Sequence, residues 1–157
     1  MERGVDMIKV WFFLPRDEWH QYEHEGMWAR RTGEDTAVVQ NSPFLAGGVA
    51  EGDVVRFRTD SDGRHWAVER VSSSGNCTIR VVPVPTGPLG RSPEAVHQRL
   101  SGFELGGEVY SKDFPMVAFT VPAGADFAGI KELLAHGTES GWWHYEVGYG
   151  TAEWWNA

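Results

Sequence analysis

The sequence predicts an α+β protein: a small N-terminal β-barrel-like unit over residues 1–75 packs on a C-terminal ferredoxin-like βαββαβ unit over 76–148. An aromatic tail follows over 149–157, and the whole forms one compact body. Three observations lead there. Up to Ser72 the apolar pattern is short and strand-like, broken by turn residues, with no helical period. Ser72-Ser73-Ser74-Gly75 is the most linker-like run in the chain. Beyond it, two capped helices alternate with strands.

Taken in order, Ile8 to Leu14 is apolar on both alternating faces and reads as a strand buried on both sides, ended by Pro15. Arg16 to Glu25 is charged and aromatic without a clean period. Gly26 to Arg31 and Thr36 to Gln40 read as strands joined by the turn Thr32-Gly33-Glu34-Asp35. From Asn41 to Gly52 the chain turns a corner. Pro43 forbids a helix there, Gly47 and Gly48 permit positive φ, and Glu51-Gly52-Asp53 is a tight turn. Asp53 to Arg58 and His65 to Val71 complete five short strands.

In the second unit, Thr78 to Val82 is a strand closed by Pro83 and Pro85. Ser92-Pro93-Glu94 starts a helix with cap, proline and carboxylate in the expected order, and Val96, Leu100 and Phe103 follow at helical spacing. Glu108 to Tyr110 and Met116 to Val121 are strands paired through the Lys112-Asp113 turn. Asp126 caps a second helix with Phe127, Ile130, Leu133 and Leu134 on one face and Gly137 as its stop. Trp142 to Val147 is the last strand. The tail from Gly148 holds Trp154-Trp155, which either packs back or docks elsewhere.

Composition narrows the function classes. The net charge is −8, and it is uneven: residues 1–100 carry 14 acidic and 12 basic side chains, residues 101–157 carry 8 and 2. That sign argues against nucleic acid as a partner, above all for the C-terminal part, and suits a basic protein partner or a small aromatic or cationic ligand. Lone Cys77 forms no intrachain disulfide, the N-terminus lacks a signal-peptide pattern, and no apolar run approaches a membrane span, so a cytoplasmic protein without membrane contact is expected. Eight Trp, eight Phe and four Tyr exceed what a core of this size needs. Trp28, Trp66, Trp142, Trp143 and Tyr145 are the candidate binding residues. Aromatic platforms beside carboxylates suit cations, aromatic ligands and protein hot spots, and ring packing within the sheets accounts for part of the same set. Trp142 and Trp143 point to opposite faces, so at most one is core.

Candidate chemistry is sparse. His65 with Glu69, and His144 with Glu146, share a face of their strands and form an acid–base set if the two strands meet across a cleft between the units; surface alternation produces the same pairs. His20 and His24 have metal-ligand spacing for a helix, but Gly26 and the missing apolar stripe argue for a solvated loop. Asp53, Asp60 and Asp62 read as turn formers. There is no nucleophile elbow, P-loop or dinucleotide fingerprint, so no metal and no cofactor are expected.

Val10-Trp11-Phe12, Met27-Trp28-Ala29, Ser42-Pro43-Phe44, Gly48-Val49-Ala50-Glu51-Gly52-Asp53-Val54-Val55, Leu105-Gly106-Gly107 and Gly141-Trp142-Trp143-His144-Tyr145-Glu146 together resemble an uncharacterised family of small bacterial proteins, a numbered domain of unknown function. The resemblance implies a soluble bacterial protein of one unit and assigns no site residue; the tail after Gly148 departs from it. The leading expectation is a non-enzymatic acidic binding protein of antitoxin or immunity type. The alternative is a small enzyme or ligand-binding accessory acting on an aromatic or peptide-like substrate through the His/Glu set in a Trp-lined cleft.

Overall fold

A computed structural model describes residues 6–14 and 23–157. Pro15, His20 and most of the aperiodic run from Arg16 lie outside them. The fold is α+β, mostly sheet, with few helices.

Five strands, β1 (Met7–Phe13), β2 (His24–Arg31), β3 (Thr36–Val39), β4 (Val54–Thr59) and β5 (His65–Ser72), pair in that order. β5 returns to β1 through a short parallel contact, Val10 opposite His65 and Trp11 opposite Trp66, and so closes the sheet into a ring. Period-two alternation fills its interior with Val10, Met27, Ala29, Ala37, Val39, Val55 and Phe57. The expectation that β1 is buried on both faces is corrected: Val10 alone in β1 is fully buried, and Phe13 is 72% exposed. A ring has a single interior, so the alternate residues Lys9, Trp11 and Phe13 form its outer wall.

The second sheet has the order β7-β8-β6-β9, all antiparallel, from β6 (Cys77–Pro83), β7 (Gly106–Val109), β8 (Val117–Val121) and β9 (Trp143–Tyr149). Helix α1 (Pro93–Leu100) follows β6 and α2 (Phe127–Glu139) follows β8. Ser92 caps α1 by accepting the Ala95 amide at 3.1 Å, and Asp126 caps α2 through Gly129 at 3.0 Å. Val96, Leu100, Phe127, Ile130 and Leu134 cover one sheet face, meeting Ile79, Val81, Val117, Phe119 and Trp143.

One further expectation changes. Gly137 does not stop α2; the helix runs to Glu139, and the turn to positive φ falls at Gly141. Gly137 is there for space, because a Cβ at this position would overlap the indole of buried Trp143, whose N–H donates to the Leu134 carbonyl at 3.0 Å. The C-terminal residues pack back, one of the two outcomes expected for them. They form α3 (Ala152–Asn156), which buries Trp154 edge-on against Phe127 at 5.7 Å, while Lys131 donates to the Trp154 and Ala157 carbonyls at 2.8 and 3.1 Å. Trp155 stays exposed. Among the described residues no helix is long and apolar enough to cross a membrane.

The corner from Asn41 to Gly52 joins the two sheets. Ala46 and Val49 complete the ring's interior, while Val49 accepts the Thr78 hydroxyl at 2.9 Å and the Gly48 amide donates to the Gly148 carbonyl at 2.9 Å. Gly48 has φ of 75° and Gly52 of 90°; Gly47 lies outside that region. Space and conformation therefore predict different glycine costs. Gly137→Ala should lose about 2 kcal/mol by overpacking, despite alanine's better helix propensity, which lowers Tm by roughly 4–8 °C. Gly48→Ala, whose Cβ would meet nothing within 4 Å, should lose about 1 kcal/mol from backbone strain alone. Urea denaturation of the two variants measures both values.

Candidate functional site

β6 reads Cys-Thr-Ile-Arg-Val-Val-Pro, and its alternation decides the site. Cys77, Ile79 and Val81 point at the helices, which leaves Thr78, Arg80 and Val82 on the opposite sheet face, toward the corner. The register sets Arg80 between Ala118 of β8 and Glu146 of β9, with Val82 opposite His144. Part of this face is covered by the corner. Arg80 is 2% exposed, donates from Nε to the Pro43 carbonyl at 3.4 Å and also bonds the Ala46 carbonyl through Nη2. Across the same loop the Glu25 carboxylate accepts the Phe44, Leu45 and Ala46 amides at 2.8, 3.0 and 2.8 Å. Ser42 and Thr120 share a hydroxyl–hydroxyl bond, and Thr120 also donates to the Glu51 carboxylate at 2.9 Å.

Burial pulls the Arg80 guanidinium below the usual arginine range, and the charges of Glu146 and Glu25 oppose that pull. Gly148 must lack a side chain, because a Cβ there would run into the same guanidinium.

The uncovered part of the face is a groove of about 270 Å³ lined by Arg80, Val82, Phe114, Met116, His144, Tyr145 and Glu146. Its floor is apolar, and its charged rim comes from β9. Glu146 forms no ion pair within 4 Å among the described residues. The volume lies near the lower end of the roughly 300–1,000 Å³ of small-molecule sites.

The predicted site residues are only partly brought together. His144, Tyr145 and Glu146 line the groove. His65 instead bonds the Thr59 hydroxyl at 2.7 Å and packs on Phe57, and Glu69 is an ion-pair partner of Arg56; both lie on the ring. The groove itself is lined by the second sheet's residues and the Phe114 turn, not by a cleft between the two units. The aromatic set also divides. Trp143 is core; Trp142 is half-buried beneath Arg99, 4.2 Å from its ring, and edge-on to His136. Trp28 and Trp66 stand on the ring's outer wall. His24 stands there too, edge-on to Trp11 at 5.1 Å, and among the described residues no three His, Cys, Asp or Glu side chains could hold a metal. Asp60 forms a turn, accepting the Asp62 and Arg64 amides and the Trp66 indole N–H. That last bond and the Arg64 amide hold its carboxyl below the ordinary range.

Sequence reasoning missed Arg80 and Glu25. A lone arginine inside an otherwise apolar strand was the available signal for Arg80. Nothing in the charged run before Gly26 singles out Glu25.

A model of the family described as Domain of unknown function (DUF4265) matches residues 25–145. A solved structure described as a novel crystal structure of a hypothetical protein from Neisseria gonorrhoeae is similar in fold. It has a TM-score of 0.71 and 16% identity, over 94% of this chain and 96% of that one. Curated proteins give no match.

Arg80 is the testable centre of this arrangement. Arg80→Met should lose about 3 kcal/mol, because the Pro43 and Ala46 carbonyls lose their donor and Glu25 its nearby cation. A loss under 1 kcal/mol by chemical denaturation would show that the corner holds without it.

Proposed function

The chain belongs to the DUF4265 family, and from that premise we propose that it is a non-enzymatic binding protein, of antitoxin or immunity type, whose site is the groove beside Arg80. The proposed partner is a basic protein that presents an apolar side chain next to a Lys or Arg. The observation that carries this reading is Glu146: a carboxylate on the rim of an apolar groove that forms no ion pair among the described residues, and whose neighbouring cation is already committed to two backbone carbonyls. The surplus of 8 acidic over 2 basic residues in 101–157 adds long-range attraction for such a partner.

The finer architecture is part of the same reading. The ring of β1 to β5 supports a small barrel, and the order β7-β8-β6-β9 with α1 and α2 on one face supports a ferredoxin-like unit, divided near residue 75. A buried, unpaired Cys77 is in keeping with a cytoplasmic location.

A second reading is favoured by His144 and Glu146 lining the same groove: acid–base chemistry on an aromatic or peptide-like substrate. His144→Ala separates the two, since it should abolish any turnover in the second reading while leaving the Glu146 carboxylate and the apolar contacts of the first intact.

For the binding reading, a panel of short peptides pairing Leu or Phe with Arg should bind the full chain, as read by calorimetry. Glu146→Lys should weaken the best of them at least tenfold, about 1.4 kcal/mol. Binding that ignores this charge reversal, or a preference for acidic peptides, overturns the reading.

A further inference from the structure

The ring's outer wall at β1, β2 and β5 interleaves rings with cations. Register places Lys9 opposite Trp28, Phe13 opposite His24, and Trp66 beside both Trp11 and Arg58. The Lys9 ammonium lies 5.5 Å from the Trp11 ring and 5.0 Å from Trp28, and the Arg64 guanidinium lies 4.7 Å from Trp11 and 5.9 Å from Trp66. Phe13 stacks on Trp66 at 4.4 Å and 16°, leaving its other face to solvent; Trp28 is 52% exposed.

The chemistry of the missing partner follows from who already occupies the rings. Lys9 lies on Trp11 and Trp28 and Arg64 on Trp11 and Trp66, so three of the four rings already carry a cation, and a cationic ligand would meet positive charge beside them. What faces outward is positive charge set between open ring planes. Lys9, Arg58 and Arg64 make no ion pair with another described residue, whereas Arg56 is taken by Glu69 and Asp35. The complement is a flat apolar body carrying negative charge, repeated along a line. Lys9 and Phe13 are four residues apart on β1, about 13 Å along the strand, which separates the two open rings by more than one stacking distance.

We propose that this wall binds single-stranded nucleic acid, with bases stacked on Phe13 and Trp28 and phosphates held by Lys9, Arg58 and Arg64. A single strand is required, because a duplex keeps its base faces stacked inside. Residues 101–157 carry 8 acidic and 2 basic side chains against 14 and 12 in residues 1–100, so most of the chain's negative surplus lies outside the part that forms the wall, and charge is screened beyond about 8 Å at physiological salt. Of the carboxylates in the adjoining turn, Asp60 is engaged by the Trp66 indole and two amides, while Asp62 is exposed and opposes binding. This proposal is independent of the groove.

A dye-labelled 12-residue oligothymidylate and the full chain, followed by fluorescence anisotropy, test it. Saturable binding is expected at about 50 mM salt, weakening roughly 20-fold by about 200 mM if three phosphates are neutralised. Phe13→Ala, which removes one exposed ring stacked on Trp66 and should lower Tm by only a few degrees, should weaken binding at least fivefold. Lys9→Gln should weaken it and reduce the salt slope by about 0.7. Glu146→Lys, aimed at the groove, should not weaken it. The proposal is overturned by absence of binding at the lower salt, by Phe13→Ala and Lys9→Gln variants that bind like the parent, or by capture on phosphatidylserine vesicles without oligonucleotide binding.

Discussion

The joint between the two sheets is centred on the buried guanidinium of Arg80. A buried cation is costly unless its donors and its charge are both answered, and here two groups of partners answer it. The Pro43 and Ala46 carbonyls take its donors, and the carboxylates of Glu25 and Glu146 oppose the effect of burial. Glu25 also holds the loop from the other side through the Phe44, Leu45 and Ala46 amides. The corner is thus gripped by a cation at its carbonyls and an anion at its amides. A loop with so little regular structure keeps one shape because its backbone groups are satisfied by side chains instead of by a neighbouring strand.

That grip explains why the corner serves two cores at once. Ala46 and Val49 are apolar stoppers for the ring, so the loop cannot swing away without opening that interior. Its backbone is at the same time bonded to Thr78 and Gly148 of the second sheet. Asp53, fully buried at the loop's end, extends the joint by accepting the Ala50 amide and the Ser74 amide and hydroxyl. The apparent linker at Ser72 to Gly75 is therefore tied down: Ser74 and Asn76 both donate to the Glu51 carbonyl at 2.9 Å. Small polar residues were needed there for hydrogen bonding to a neighbouring loop, and their composition resembles that of a flexible spacer.

Local physics made much of the fold legible. Period-two alternation placed the strands to within a residue or two, and the Ser92 and Asp126 caps placed the helix starts, because both signals act over a few neighbouring positions. The misreadings arose where a distant residue decided the outcome. Gly137 has the composition of a helix stop, yet the Trp143 indole lying over it demands a missing Cβ inside the helix. Apolar β1 suggested burial on two faces, yet ring closure gives it one interior, and its outer aromatics are covered partly by Lys9 and Arg64. The candidate site was legible to the same extent. His144, Tyr145 and Glu146 are neighbours in sequence and stay neighbours in the groove, whereas His65 and Glu69 belong to a strand that goes elsewhere.

The groove depends on the joint for its electrostatic character. On a sheet face holding both an arginine and a glutamate, the simplest outcome is a mutual ion pair that cancels both. Arg80 instead spends its donors on the corner, leaving Glu146 in its field but without an ion-pair contact among the described residues. In the proposed binding mode a partner's lysine or arginine makes that contact. The ring's outer wall uses the opposite arrangement: its cations lie on aromatic faces, which neutralise less of their charge than a carboxylate would. One chain thus presents an acidic recess and a basic ridge, and the net charge of −8 describes neither surface.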